Sequence, residues 1–183
     1  MIETERLILR AHRLDDLAAC AAMWADPQVT RYIGGEPASE QDVWFKMLRY
    51  AGLWSLMGFG YWAIEEKATG GFIGETGFAD FKRDIVPSIA GVPELGWALS
   101  ASAHGKGYAT EAVAAAVAWA DARLSLSKTV CIISPENMQS IRVAEKCGYG
   151  QPQQTTYHGE PTILFTRQKK RMPPTQESRS PQH

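Results

Sequence analysis

The 183-residue chain has few of the features that would set it apart from an ordinary globular protein. Its three cysteines, Cys20, Cys131 and Cys147, are an odd number without paired spacing, which excludes a disulfide framework and a zinc knuckle and points to a reducing compartment. Neither charge is in excess: 19 Lys and Arg stand against 20 Asp and Glu, a net charge of -1, so a general polyanion binder is not expected. Long apolar runs are missing too. The longest, Ala51 to Ile64, is broken by Gly52, Gly58 and Gly60 and falls short of the ~20 residues that span a bilayer. Met1 to Arg6 is acidic where an export signal would be basic and then apolar, so a cytoplasmic location is expected. His12, His104, His158 and His183 are scattered without metal-ligand spacing, and no metal is expected.

What is present suits one folded domain. With 45% hydrophobic and 21% charged residues, the chain can bury a sizeable core. Residues 169–183 hold Pro173, Pro174 and Pro181 among polar residues and carry a charge of +3, which predicts a disordered basic tail after a domain of residues 1–168. The body then carries -4, a weak field that mildly favours amines as partners and disfavours nucleic acid.

Hydrophobic spacing predicts a strand at Arg6–Arg10, a helix from Leu14 to about Trp24, and a second helix after the capping box Ser39-Glu40-Gln41-Asp42, with Val43, Met47, Tyr50 and Ala51 on its buried stripe. Gly60–Ile64 and Gly71–Phe78 read as a hairpin, Lys82–Pro93 as a loop, and Pro93–Leu99 as a strand in which Gly96 marks a bulge or a close approach. A helix follows at Tyr108–Leu124, a buried strand at Thr129–Ser134, and a helix at Asn137–Cys147 closed by Gly148. Two strands end the order, the last at Thr162–Thr166. This sequence of elements predicts an α/β (α+β) domain, a mixed sheet with helices on its faces.

The sharpest local feature is His104-Gly105-Lys106-Gly107-Tyr108-Ala109-Thr110-Glu111, between a strand and a long helix. Glycines there let backbone N–H groups converge under the positive end of the helix dipole, a cradle for an anion such as a pyrophosphate. It is not a Walker loop, since Gly107 follows Lys106 where Ser or Thr is needed. It is not the dinucleotide fingerprint either, since Thr110 stands in place of the third glycine.

At these residues the chain resembles the GNAT superfamily of acyl-CoA-dependent N-acetyltransferases, whose loop runs Gln or Arg, two variable residues, Gly, one variable residue, then Gly or Ala. His104, Gly107 and Ala109 occupy those positions, and His104 departs from the pattern. Pro135 to Tyr149 is similar to the family's Asn-containing helix ending in Gly-Phe or Gly-Tyr. Glu5–Arg10 and the hairpin from Trp62-Ala63-Ile64 to Ile73-Gly74 resemble the branch of ribosomal-protein N-terminal acetyltransferases, the RimJ/RimL type.

The resemblance implies the GNAT fold, with a mostly antiparallel sheet of about seven strands, helices on both faces and a splayed pair of strands that admits the pantetheine arm. It implies acetyl-CoA as cosubstrate, held by Trp97, Leu99, His104, Gly105, Lys106, Gly107, Tyr108, Ala109, Thr110, Asn137 and Ser140. A small-molecule or peptide amine would be the acceptor, lined by residues 25–58 and 80–93, with a second copy of the chain as a partner.

The amine must lose a proton before attack, which at pH 7 costs an α-amine about 1.4 kcal/mol and a lysine about 4.6. Glu94 is the first choice of base, directly or through water, and Glu75 the second. Many family members protonate the leaving thiolate from a helix tyrosine; Ala144 stands at that position here, leaving Ser140, water or Tyr157. A binding module that senses acyl-CoA without turnover is the alternative reading.

Overall fold

Alternation in Leu7–Arg10 buries Leu7 and Leu9 on one face and turns Ile8 and Arg10 to the other. A computed structural model, which describes residues 1–169, sets this segment as β2 in one eight-stranded sheet. The other strands are β1 (Ile2–Glu3), β3 (Tyr61–Glu66), β4 (Gly71–Ala79), β5 (Glu94–Leu99), β6 (Lys128–Ile133), β7 (Gly150–Tyr157) and β8 (Glu160–Gln168). Their spatial order is β1-β2-β3-β4-β5-β6-β8-β7. Every pairing is antiparallel except β5 with β6. The strand beyond the expected seven is β1, two residues that pair Ile2 with Leu9 and Glu3 with Ile8.

Helices cover both faces. Before β3 come α1 (Leu17–Trp24), α2 (Pro27–Thr30) and α3 (Glu40–Met57); α4 (Tyr108–Arg123) precedes β6 and α5 (Met138–Lys146) follows it. On one face Leu9, Ile64, Phe78, Leu95 and Leu99 pack with Val113, Ala116, Ile141 and Ala144 of α4 and α5. On the other, Ala98 packs with Cys20, Met23 and Trp24 of α1 and Val43 and Met47 of α3. The short α2 escaped the sequence reading, although its start is marked: the Asp26 carboxylate accepts from Gln28 N–H at 2.8 Å, and Pro27 follows at the first helical position.

The capping box of α3 forms as expected, Ser39 Oγ accepting from Asp42 N–H and the Asp42 carboxylate from Ser39 N–H. Val43, Met47 and Tyr50 are buried, but Ala51 is exposed. The stripe runs on instead to Trp54, which packs on Trp62 and donates its indole N–H to Tyr61 O at 2.9 Å. Gly148 ends α5 in the left-handed region at φ 88°. That turn buries Tyr149, whose hydroxyl shares a 2.7 Å hydrogen bond with Thr129 of β6.

Gly96 marks a close approach and not a bulge, since β4 and β5 run in unbroken register from Gly74↔Leu99 to Ala79↔Glu94. Lys169 N–H donates to Ser127 O and its ammonium to Leu124 O, each at 2.8 Å, tying the chain to the body one residue past the expected boundary. Residues 170–183, on which the expected tail falls, lie outside the described residues. Among the described residues no helix is long and apolar enough to cross a membrane.

Candidate active site

The sheet is weakest between β5 and β6. One register pair joins them, Glu94↔Val130, supported by Val130 N–H donating to Pro93 O at 3.1 Å. Past it no pairing is made, so Leu95–Leu99 keep an unpaired backbone edge facing Cys131–Ile133. This is a wedge with its vertex at Glu94, and it matches the splayed pair that the sequence led us to expect. Trp97 and Leu99 stand on its β5 side, with Leu99 buried and Trp97 packed against the α4 face.

The glycine loop closes the open end of the wedge. Gly105 and Gly107 adopt φ 75° and 81°, and Gly107 is the residue from which α4 starts, with no side chain capping it. Among the described residues, the amides of Gly105, Lys106, Gly107, Tyr108, Ala109 and Thr110 have no acceptor within the protein; pairing resumes with Glu111 N–H to Gly107 O. Such a run at a helix N-terminus is an anion site. The His104 ring turns inward, its Nε2 2.9 Å from Leu99 O, and so braces the loop on the end of β5.

A second brace comes from the N-terminus. Arg6 donates to Lys106 O at 2.9 Å and to Glu111 at 2.7 Å, and its guanidinium lies 4.5 Å from the centre of the Tyr108 ring. The Tyr108 hydroxyl in turn donates to Glu66 at 2.6 Å. Sequence reasoning missed this brace, because Arg6 and Glu111 meet only through the fold.

On the β6 side, Asn137 caps α5, its Oδ1 accepting from Ser140 N–H at 3.1 Å. The cap uses the carbonyl and leaves the amide N–H₂ for a ligand. Ser140 is half-buried on the first turn, and Ala144 is fully buried against the core.

Glu94 is 4% exposed and accepts from Nε and Nη2, one edge of the Arg83 guanidinium, at 2.6 and 2.8 Å. Arg83 itself lies between the Phe81 and Tyr157 rings, 4.7 Å from each centre. Both carboxylate oxygens are engaged, which leaves their remaining lone pairs for a water. Nothing local in the sequence links positions 83 and 94, and the sequence reading missed the clamp.

Glu75, the second candidate base, is 1% exposed behind α3. Tyr50 donates to its Oε1 at 2.5 Å, and His12 Nε2 lies 3.6 Å from its Oε2, beyond hydrogen-bond range but within reach of an ion pair when the ring is protonated. Burial alone would raise this carboxyl; the His12 ring, the Lys46 ammonium and the Tyr50 hydroxyl outweigh it and hold the group below its ordinary value. His12, Cys20 and Glu75 each bring one potential ligand atom within 4.8 Å of the others, a grouping that chain spacing did not reveal. The nearby Lys46 charge already opposes that of Glu75.

Comparison with known proteins agrees with this geometry. Residues 6–150 match the family model of the GNAT acetyltransferase domain. The chain is 30% identical over 147 residues to the uncharacterized N-acetyltransferase p20 of Bacillus licheniformis, covering 80% of each chain. It superposes on an acetyltransferase from Agrobacterium tumefaciens at 30% identity and a TM-score of 0.77, covering 90% of this chain and 92% of that one. AAC(6')-Ib in complex with paromomycin and acetyl-CoA is similar at 21% identity and a TM-score of 0.74, with 90% and 94% covered. At that identity the likeness is one of fold.

Proposed function

Because the chain belongs to the GNAT acetyltransferase family, we propose that it moves the acetyl group of acetyl-CoA to a primary amine by direct attack in a ternary complex. One observation carries the reading: a wedge in the sheet whose open end is closed by consecutive unpaired amides at a helix N-terminus. Amides 105–110 would hold the pyrophosphate, and the unpaired edge of Trp97 and Leu99 would take the pantetheine amides, with the Asn137 N–H₂ reaching it from α5. Acetyl-CoA supplies an activated thioester, placed by these contacts near the vertex.

Glu94 would take the amine proton through a water on its free lone pairs. An α-amine suits the site as acceptor, being about 3 kcal/mol easier to deprotonate at pH 7 than lysine. With Ala144 unable to donate, Ser140, a water or Tyr157, whose ring lies against Arg83, would protonate the thiolate. We place the chain in the RimJ/RimL-like branch and in the reducing cytoplasm, with a peptide N-terminus or a small-molecule amine as acceptor. AAC(6')-Ib, which binds an aminoglycoside, supports the small-molecule option.

The clamped Glu94 and Ala144 also favour a second reading, a module that binds acyl-CoA without turnover. The acceptor is tested by comparing kcat/KM for peptides with a free N-terminus against the same peptides N-blocked and carrying one internal lysine. Preference for the blocked peptides would overturn the α-amine assignment.

A further inference from the structure

Tyr61 sits in a row with two glycines: it pairs with Gly77 on β4, and Gly77 pairs with Gly96 on β5. A Cβ at Gly77 would stand 2.4 Å from Tyr61 Cα, and one at Gly96 would stand 2.1 Å from the Tyr61 hydroxyl. The tyrosine lies across the sheet because both side chains are missing, and its hydroxyl rests on β5. Gly96 is two residues past Glu94, inside the stretch of β5 that has separated from β6. The phenol therefore arrives at the wedge just beyond its vertex, from the face of α1 and α3.

The ring is fixed from behind. It stacks on Tyr50 at 4.4 Å between centres with the planes 5° apart, and Tyr50 is anchored on Glu75. Tyr61 is 6% exposed; among the described residues its hydroxyl makes no hydrogen bond within the protein, and it touches solvent. A hydroxyl with no partner in the protein keeps its proton and lone pairs open to a water or a ligand atom. Burial first, then the Glu94 and Glu75 carboxylates, raise its pKa, so the group stays a neutral phenol. It can orient a partner but is no base.

We propose that Tyr61 is a catalytic residue whose hydroxyl accepts a hydrogen bond from the attacking amine and turns the nitrogen lone pair toward the thioester carbon. The phenol keeps its own proton. The amine proton leaves by way of Glu94 as the N–C bond forms and the C–S bond breaks. The inference rests on the placement of the acetyl group at the vertex given under Proposed function.

The test is Tyr61→Phe, assayed by thiol release from acetyl-CoA with kanamycin, spermidine and a free-N-terminus alanine tripeptide, and with water as acceptor where no amine reacts. Turnover of whichever reaction the wild type performs should fall at least about tenfold, with KM for acetyl-CoA and the coenzyme A thermal shift unchanged. The melting temperature should not fall, because removing an unpartnered hydroxyl breaks no bond. Gly96→Ala should lose both stability and turnover by displacing the ring. Adding Tyr61→Phe, which leaves Cζ 3.2 Å from the new methyl, should restore the melting temperature and not the turnover. Unchanged kcat in Tyr61→Phe with normal coenzyme A binding would overturn the role of Tyr61 alone, whereas a wild type that binds no coenzyme A would overturn this inference and the cofactor placement together.

Discussion

Replacing Gly107 by Val separates the conformational cost of the glycine loop from its role in holding an anion. Gly107 sits at φ 81°, and a Cβ there would meet only Arg6 Nη2 at 3.5 Å, an ordinary contact. The cost to the free protein is therefore that of the left-handed backbone, about 1–2 kcal/mol. In a chain of this size that lowers the melting temperature by roughly 2–8 °C. Binding adds a separate shift of similar or larger size in the wild type: at a coenzyme A concentration a hundred times Kd, mass action contributes about 2.7 kcal/mol, or roughly 5–10 °C. Gly159→Val supplies the control, since Gly159 has φ 83° with nothing near its Cβ but lies in the β7–β8 hairpin. Differential scanning fluorimetry with and without coenzyme A should show similar losses for both free variants, with the ligand shift kept in Gly159→Val and abolished in Gly107→Val. A full ligand shift in Gly107→Val would refute the assignment of amides 105–110 to the pyrophosphate.

Glu94→Gln should lower turnover at neutral pH without weakening coenzyme A binding, and the deficit should shrink as the amine deprotonates by itself at high pH. Equal rates for wild type and variant from pH 6 to 9 would return the base role to water. Asp16→Asn breaks the buried pair with Arg10, in which both oxygens accept at 2.8 Å; Arg10 keeps Glu65, so the loss should be about 3 kcal/mol. Burial would raise the Asp16 carboxyl, but the hydrogen bonds from Arg10 and from Arg13 N–H hold it below its ordinary value. A depressed acid stabilises the fold above its unfolded pKa and loses that stabilisation as pH falls through its folded value. The gap in melting temperature between wild type and variant should thus be full at pH 7 and close below about pH 4; a gap constant from pH 7 to pH 3 would contradict the pairing.

Elements set by local chemistry were legible in the chain. Ser39 with Asp42, Gly148 after α5 and the glycines at 105 and 107 each announce one backbone geometry, and each is found. β7 was legible only as a place in the order, because Gly150–Tyr157 is polar and its strand character comes from pairing with β8, with an irregularity between Gly150 and Gln153. Ala51 was placed inward because it continues the spacing of Val43 and Met47, yet α3 turns Trp54 to the core in its place. Gly96 was read as a close approach, but what approaches it, Tyr61, lies two strands away. In the same way the Arg83 clamp on Glu94 and the Tyr50–Glu75–His12 group join residues from distant elements. Motif spacing located the glycine loop and the strand before it; the Arg83 clamp and the Tyr50–Glu75–His12 group are tertiary, and only the fold assembles them.

In the proposed function the wedge and the loop serve acetyl transfer and not storage or sensing of a thioester. The measurement that tests it most directly is incubation of the protein with acetyl-CoA and a mixed pool of free-N-terminus peptides, polyamines and aminoglycosides, followed by mass spectrometry of the amines and titration of released thiol. Acetylated amine should form in step with coenzyme A thiol, and both should vanish in Gly107→Val. Binding of acetyl-CoA at full affinity with no acetylated amine and no thiol released would contradict the enzymatic reading and leave the non-catalytic binding module in its place.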